Sequence, residues 1–270
     1  MLVRDLERAL FDRFPAQDAE SWDHVGLSVG DPGAAVTGVA VALDATERNV
    51  RAAADRGANV LLTHHPVYIK APDAFTPADA MRPSSSAAIY TAARLGVSIL
   101  SFHTNLDRSH EVRELLPSLV GMQAASSLEY PGDPTARGLG SVCTCAPRTL
   151  GELAAACAGA FGGAPRVWGD PDVAVERVAF LGGSLGSFGE DAMRWGAQAI
   201  VCGEGGYHVC QDLAIRGCGV ILLGHDRSED PFAAILMNAA ISAGVDDAVL
   251  HRIGLSHQWW TVSTKEQERS

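Results

Sequence analysis

The sequence predicts an α/β fold made of two similar halves, each built on a parallel-type sheet. Three observations carry this. Short apolar runs alternate with stretches of helical spacing, those helices tend to stop at glycine, and the pattern returns in the second half of the chain. Residues 2–14 have helical spacing, and TGVAVALD (37–44) reads as a buried strand. A helix over 46–56 stops at Gly57, and ANVLLTHH (58–65) is the next strand. SSSAAIYTAARLG (84–96) offers serine caps, a helix and a closing glycine before the strand VSILSFHT (97–104). In the second half TLGELAAACAGAFG (149–162) is a capped helix and ERVAFLGG (176–183) a strand, followed by a helix near 189–195. AQAIVCGE (197–204), a helix over 207–216, CGVILLGH (218–225) and one long helix from about 228 to 243 complete the set. No tandem repeat is present. Ser, Pro and Gly concentrate in residues 124–136, which reads as a linker between an N-terminal half (1–123) and a C-terminal half (137–270). The tail STKEQERS is polar and reads as disordered.

The bulk numbers narrow the function classes. Of the 270 residues 47% are hydrophobic and 20% charged, enough apolar content for a sizeable core. A net charge of −11 opposes general nucleic-acid or anionic-membrane binding. A phosphate-bearing substrate would need metal ions or a few placed arginines. The N-terminus lacks a signal-peptide core, and no stretch approaches the roughly 20 apolar residues of a membrane span. Six cysteines without a CxxC pair read as reduced thiols, and the expected location is cytoplasmic. Cys143 and Cys145 would share one side of a strand, where core packing outweighs a metal or redox role.

The informative feature is where the strands end. LLTHH stops on His64 and His65, and ILSFHTNLD runs out through His103, Asn105 and Asp107. IVCGEGGYH delivers Glu204 and His208; ILLGHDRSE delivers His225, Asp226 and Glu229. In a parallel α/β sheet the carboxyl ends of the strands share one edge, where ligands bind. Buried groups of this kind need partners or a metal. His64 and His65 point to opposite sides of an extended segment, so they suit two neighbouring ions better than one. His225 and Glu229 lie one turn apart on a helix face. Asp107 and Glu229 are the carboxylates best placed to bridge a metal pair. Mixed His and carboxylate ligation selects Zn, Fe or Mn over Mg or Ca. Two ions roughly 3.5–4 Å apart can hold a hydroxide between them. Each motif alone has a bland reading, such as a satisfied histidine pair or turn chemistry in HTNLD; the conjunction at successive strand ends favours the metal site.

SWDHVGLSVG (21–30), THHP (63–66), HTNLD (103–107), LGGSLGSFGEDA (181–192), GEGGYH (203–208) and GHDRSE (224–229) occur in the order expected of one family. From about residue 1 to 260 the chain resembles the Nif-three-like proteins, also called dinuclear metal center proteins or GTP cyclohydrolase I type 2 homologues. The resemblance implies a toroidal homohexamer with two divalent metal ions per subunit. Carried over by motif, the metal ligands are His64, His65, Asp107, His225 and Glu229, with His103 behind them or beside the substrate. Two positions depart from the family pattern: His24 replaces the Asn of WDNxGL, and Glu204 replaces the acid of GDxxxH with one a methylene longer. Both bear on substrate contacts and leave the five ligands intact. Some members carry an inserted domain; here 107–149 leaves little room for a full one, although 138–180 could form a small α+β lobe.

The functional expectation is a metal-dependent hydrolase in which a metal-bridged hydroxide attacks carbon or phosphorus. His103, His208 and Glu204 are the expected proton carriers and pocket residues. The resemblance supplies GTP as a candidate substrate, and Arg108 and Arg227 could meet its triphosphate. A phosphoesterase is the alternative enzyme. The non-enzymatic alternative is a metal-binding, metal-delivery or scaffold ring. GGSLGSFG (182–189) could cradle a phosphate but reads more simply as a tight turn, and Trp259 and Trp260 as docking anchors.

Overall fold

The structure is a computed structural model and describes residues 1–256 and 258–262. The expectation for the 263–270 tail falls outside these residues. The chain opens with α1 (Val3–Arg13), whose Val3, Leu6 and Leu10 line one helical stripe and are fully buried. An edge strand, β1 (Gly26–Val29), precedes β2 (Val39–Ala42) and α2 (Glu47–Asp55), which starts at the side-chain cap of Thr46. Then come β3 (Val60–Thr63), α3 (Ser84–Leu95) with left-handed Gly96 at its end, and β4 (Ser98–Ser101). The short α4 (Thr104–Asp107) and α5 (His110–Ser118) lead to β5 (Ala124–Ser126) and β6 (Ser141–Thr149). Next are α6 (Leu150–Phe161), β7 (Arg166–Trp168), β8 (Ala174–Phe180), α7 (Phe188–Trp195), β9 (Ala199–Cys202) and α8 (Tyr207–Ile215). The chain finishes with β10 (Gly219–Leu222), α9 (His225–Glu229), α10 (Phe232–Ser242) and β11 (Leu250–Arg252).

The strands form two sheets, ordered β1-β4-β3-β2-β11 and β5-β6-β8-β9-β10-β7. In the first, β11, β2, β3 and β4 are parallel and only the edge strand β1 is antiparallel. The second is mixed: β8, β9 and β10 are parallel, while β5, β6 and β7 pair antiparallel. The parallel-type expectation therefore holds for the centre of each sheet and not for the borders of the second. Every residue of β2, β3, β4, β9 and β10 is buried, because helices cover both faces. Alternation divides β2: Val39 and Val41 join a core shared with the second sheet, while Ala40 and Ala42 pack with Val50, Ala53 and Ala88 of α2 and α3. On the outer face of the second sheet Ile200 and Val220 meet Ala192 of α7 and Leu213 of α8.

Three expectations change. Residues 124–136 begin as the strand β5, so they are not a pure linker. The span 138–180 is no separate lobe, because β6, β7 and β8 are built into the six-stranded sheet. The long helix over 228–243 is two helices, since Pro231 lacks the N–H needed to continue one. The chain also returns: α10 buries Phe232, Leu236 and Ala240 in the shared core, and β11 pairs with β2 of the first sheet. Residues 232–252 thus complete the N-terminal sheet. Among the described residues no helix is long and apolar enough to cross a membrane.

Candidate metal centre

The parallel strands carry their last ladder bonds into the motif residues. His65 N–H donates to Leu43 O (2.9 Å), Phe102 N–H to Thr63 O (2.9 Å) and Leu223 N–H to Cys202 O (2.9 Å). Beneath the histidine pair the Thr63 hydroxyl donates to His65 O (2.8 Å) and touches Ser101 Oγ (2.9 Å). These bonds hold His64 and His65 at the tip of β3, with ring centroids 5.0 Å apart. Across the gap α9 presents His225 and Glu229 on one face. Ser228 ties this short helix to the loop after β8, accepting from Gly183 N–H (2.9 Å) and donating to His225 O (2.7 Å). Gly183 has φ +57°, and a Cβ there would collide with Glu229 Oε1. The GGSLGSFG turn therefore makes room for a carboxylate.

Glu229 stands between the histidines. Its Oε2 is 2.9 Å from His65 Nε2 and 3.1 Å from His225 Nε2, and its Oε1 is 3.7 Å from His64 Nε2. Asp107 Oδ1 lies 3.6 Å from the same His64 nitrogen. Among the described residues Asp107 makes no such approach to His65 or His225, so only Glu229 spans both sides. His65, His225 and Glu229 each bring one ligand atom within 4.8 Å of the others, as do His64, His65 and His103. The structure brings His64, His65, Asp107, His225 and Glu229 together.

The cluster's carboxylates need positive partners, and two of its imidazoles are held in the range where they carry a proton. His64 Nδ1 donates to Phe102 O (3.0 Å), which leaves a lone pair on Nε2 in the neutral ring. That nitrogen is buried, has no hydrogen-bond partner, and faces two carboxylate oxygens. A lone pair aimed at anions is repelled; a proton on Nε2 would reach neither oxygen, at 3.6 and 3.7 Å, in a hydrogen bond, whereas a metal ion fits in that gap. Burial, with the charge of Glu229 adding, pushes the Asp107 carboxyl up. Burial also acts to raise Glu229, but the imidazoles of His225, His64 and His65 outweigh it and hold that carboxyl well below the ordinary range. Burial would lower His65; Asp44 and Glu229 win and push it up to about 10. The bond to Glu229 raises His225 to about 9 against the effect of burial.

Carboxylates lie behind the histidines. Asp44 Oδ1 accepts from His65 Nδ1 (2.8 Å), and Glu204 Oε1 lies 3.1 Å from His225 Nδ1. Asp23 Oδ1 accepts from His103 Nδ1 (3.0 Å), and its Oδ2 accepts from Thr104 N–H (3.0 Å). Burial acts to raise Asp23, yet the bonds from His103 and Thr104 hold it well below the ordinary carboxylate range. Such partners fix the tautomer and the aim of a ligating ring. Asp44 was not legible as a site residue, although it follows the same rule as the histidines by lying just past a strand's carboxyl end.

Other expected site residues fall elsewhere. His103 stays close, its ring centroid 5.1 Å from that of His64. Glu204 reaches the cluster through His225. His208 does not: α8 starts at Tyr207 and turns His208 outward into a separate groove with Ser187 and Asp212. Arg108 is committed to Glu20 and Glu129 and is not free for a triphosphate. Trp259 docks on α9, donating from Nε1 to Asp226 Oδ2 (3.2 Å). Cys143 lies in the shared core, which agrees with packing. A cavity of about 650 Å³ opens on His65, His225, Asp44 and Glu204.

The family model for Duf34/NIF3 (NGG1p interacting factor 3) matches residues 1–251. The chain belongs to the DUF34/NIF3 family. The chain is similar to a Streptomyces coelicolor protein named GTP cyclohydrolase 1 type 2 homolog, 34% identical over 235 residues that cover 84% of this chain and 81% of the relative. A Clostridium acetobutylicum protein of the same name is 28% identical over 258 residues, covering 94% and 92%. A Staphylococcus aureus hypothetical protein of known crystal structure superimposes with a TM-score of 0.85 at 23% identity, over 97% of this chain and 99% of that one, and shares the DUF34/NIF3 fold.

Proposed function

We propose that this DUF34/NIF3 protein is a metal-dependent hydrolase that works with two divalent ions, Zn, Fe or Mn. His64, His65, Asp107, His225 and Glu229 would hold them. The observation that supports this most is the position of Glu229, whose two oxygens face different histidines while His64 Nε2 has no other partner. When bound, such ions polarise an electrophile and make a water acidic enough to attack near neutral pH. The chain's own residues do the rest. Asp44 and Phe102 O fix the rings of His65 and His64. His103, oriented by Asp23, offers Nε2 as the proton-carrying atom beside the cluster. Glu204 holds His225 at the mouth of the cavity, which admits a small molecule.

The relatives' names make ring opening of GTP the first reaction to try, with phosphoester hydrolysis second. The proposal extends to a homohexameric ring in the cytoplasm, to be checked by light-scattering mass. Elemental analysis of the purified full chain, with subunit concentration measured on the same sample, tests the core of it. About two transition-metal ions per chain, cut sharply in His65→Ala and Glu229→Ala, is the expected result. A wild type that stays metal-free after supplementation with Zn, Mn or Fe would sink the reading. Metal delivery is the second reading, favoured by the 39% exposure of the His225 side chain. Exchange of bound metal with a chelator within seconds, without turnover of any substrate, would select it.

A further inference from the structure

The cavity beside His65 and His225 has a second chemical pole. Its carboxylates are engaged: Asp44 by His65 and Gln258, Glu204 by His225, and Asp226 by the Trp259 indole. Its two arginines are not. Among the described residues neither the Arg166 nor the Arg227 guanidinium has a carboxylate or carbonyl acceptor, and Arg227 Nε is buried without any partner. Arg166 instead lies over the Trp168 ring (5.8 Å to the centroid), and Arg227 over that of Trp259 (5.9 Å).

The seat of Arg227 is shaped for it. On one side is the Trp259 indole, and on the other the backbone at Gly162 and Gly163. A Cβ on Gly163, which has φ +79°, would meet Arg227 Nε at 2.8 Å; one on Gly162 would meet Nη1 at 3.0 Å. Only residues without side chains here let the guanidinium come this close to the backbone. A planar cation clamped between a ring and a bare backbone loses little entropy when it binds, and its fork of N–H donors matches phosphate oxygens.

In a chain of net charge −11, two guanidinia without acceptors in one cavity call for an anion. We propose that Arg166 and Arg227 form the phosphate subsite of an organic phosphate substrate, whose reacting end lies at His65 and His225. The inference deepens the hydrolase reading and rests on it. The cavity's volume of about 650 Å³ suits a molecule of nucleotide size. The C-terminal segment at 258–261 supplies one wall, so Trp259 reports on occupancy.

The test uses metal-supplemented full-length protein, with GTP and inorganic tripolyphosphate as probes. Binding is followed by calorimetry and tryptophan fluorescence, and metal content is measured on the same samples. Arg166→Ala and Arg227→Ala should each weaken both probes about tenfold or more, with metal content unchanged. Arg227→Lys should fall between, and Gly163→Ala should mimic Arg227→Ala by displacing the guanidinium. Circular dichroism identifies any variant that misfolds, and the remaining variants then decide. Equal binding by wild type and folded arginine variants, or no binding by a metal-bearing wild type, overturns the inference alone. Arginine-dependent tripolyphosphate binding by a wild type that takes up no metal would keep the subsite and remove the hydrolase reading.

Discussion

A single nitrogen makes the case for the cluster at the scale of the residue. His64 Nε2 is buried and unpartnered because its Nδ1 is tied to the Phe102 carbonyl, a bond that sets which nitrogen faces the carboxylates. Asp44 does the same for His65, so Asp44→Ala should lower metal affinity about 10- to 100-fold without unfolding the protein, as read by chelator competition. An unchanged affinity would remove Asp44 from this role. Asp23 makes a prediction in pH. Its folded carboxyl is held below the ordinary value of 3.8, so its stabilisation is full above that value and disappears as the pH falls below it. The gap in urea midpoint between wild type and Asp23→Asn should therefore be level above pH 3.8 and narrow progressively as the pH falls below it; a gap that stays constant through the acid range would contradict the account. The cysteines test burial. Burial pushes the thiols of Cys143, Cys157, Cys202 and Cys218 up to about 12. Iodoacetamide at pH 8 should add to the half-buried Cys145 in the native protein and to all six in denaturant, by intact mass.

Elements hold these residues through their ends. The helix α9 is five residues long and could not stand alone, so Ser228 and the Gly183 loop keep it in place. Gly183→Ala should strain a left-handed backbone position and push Glu229 aside. We expect a loss of about 1–3 kcal/mol in chemical denaturation together with reduced metal content. Retention of both would show that the loop tolerates a methyl group. Farther from the site, α6 starts at a capping box in which Thr149 and Glu152 satisfy each other's backbone N–H groups. Thr149→Ala should cost about 1 kcal/mol and leave metal content alone, which separates general stability from the site.

The molecule as a whole is two sheets that cannot be parted. Phe232, Leu236 and Ala240 of α10 sit in a core that also holds Val39, Leu62, Val178 and Val201, and β11 pairs with β2. A fragment ending at residue 123 lacks those partners, so circular dichroism should find it unfolded or aggregated. The full chain should melt in one cooperative transition. A folded, monomeric 1–123 fragment would show that the halves are independent domains. The cluster depends on this interlocking: His64, His65 and Asp107 come from one sheet's strand ends, and His225 and Glu229 from the other's.

The sequence by itself determined the parallel strands at the centre of each sheet, because continuous apolar runs between amphipathic helices have few other solutions. It also indicated that His64, His65, Asp107, His225 and Glu229 would arrive at one edge, because the carboxyl ends of parallel strands share it. It did not determine β1, β5, β6, β7 and β11. Their burial is partial and their pairing lies with residues far along the chain, so no local period marks them. The outward turn of His208, the commitment of Arg108 to Glu20 and Glu129, and the role of Asp44 were likewise decided by packing. Strand ends say which residues arrive at an edge. Which atom faces which, and with what left unpaired, is decided only when two sheets close on each other.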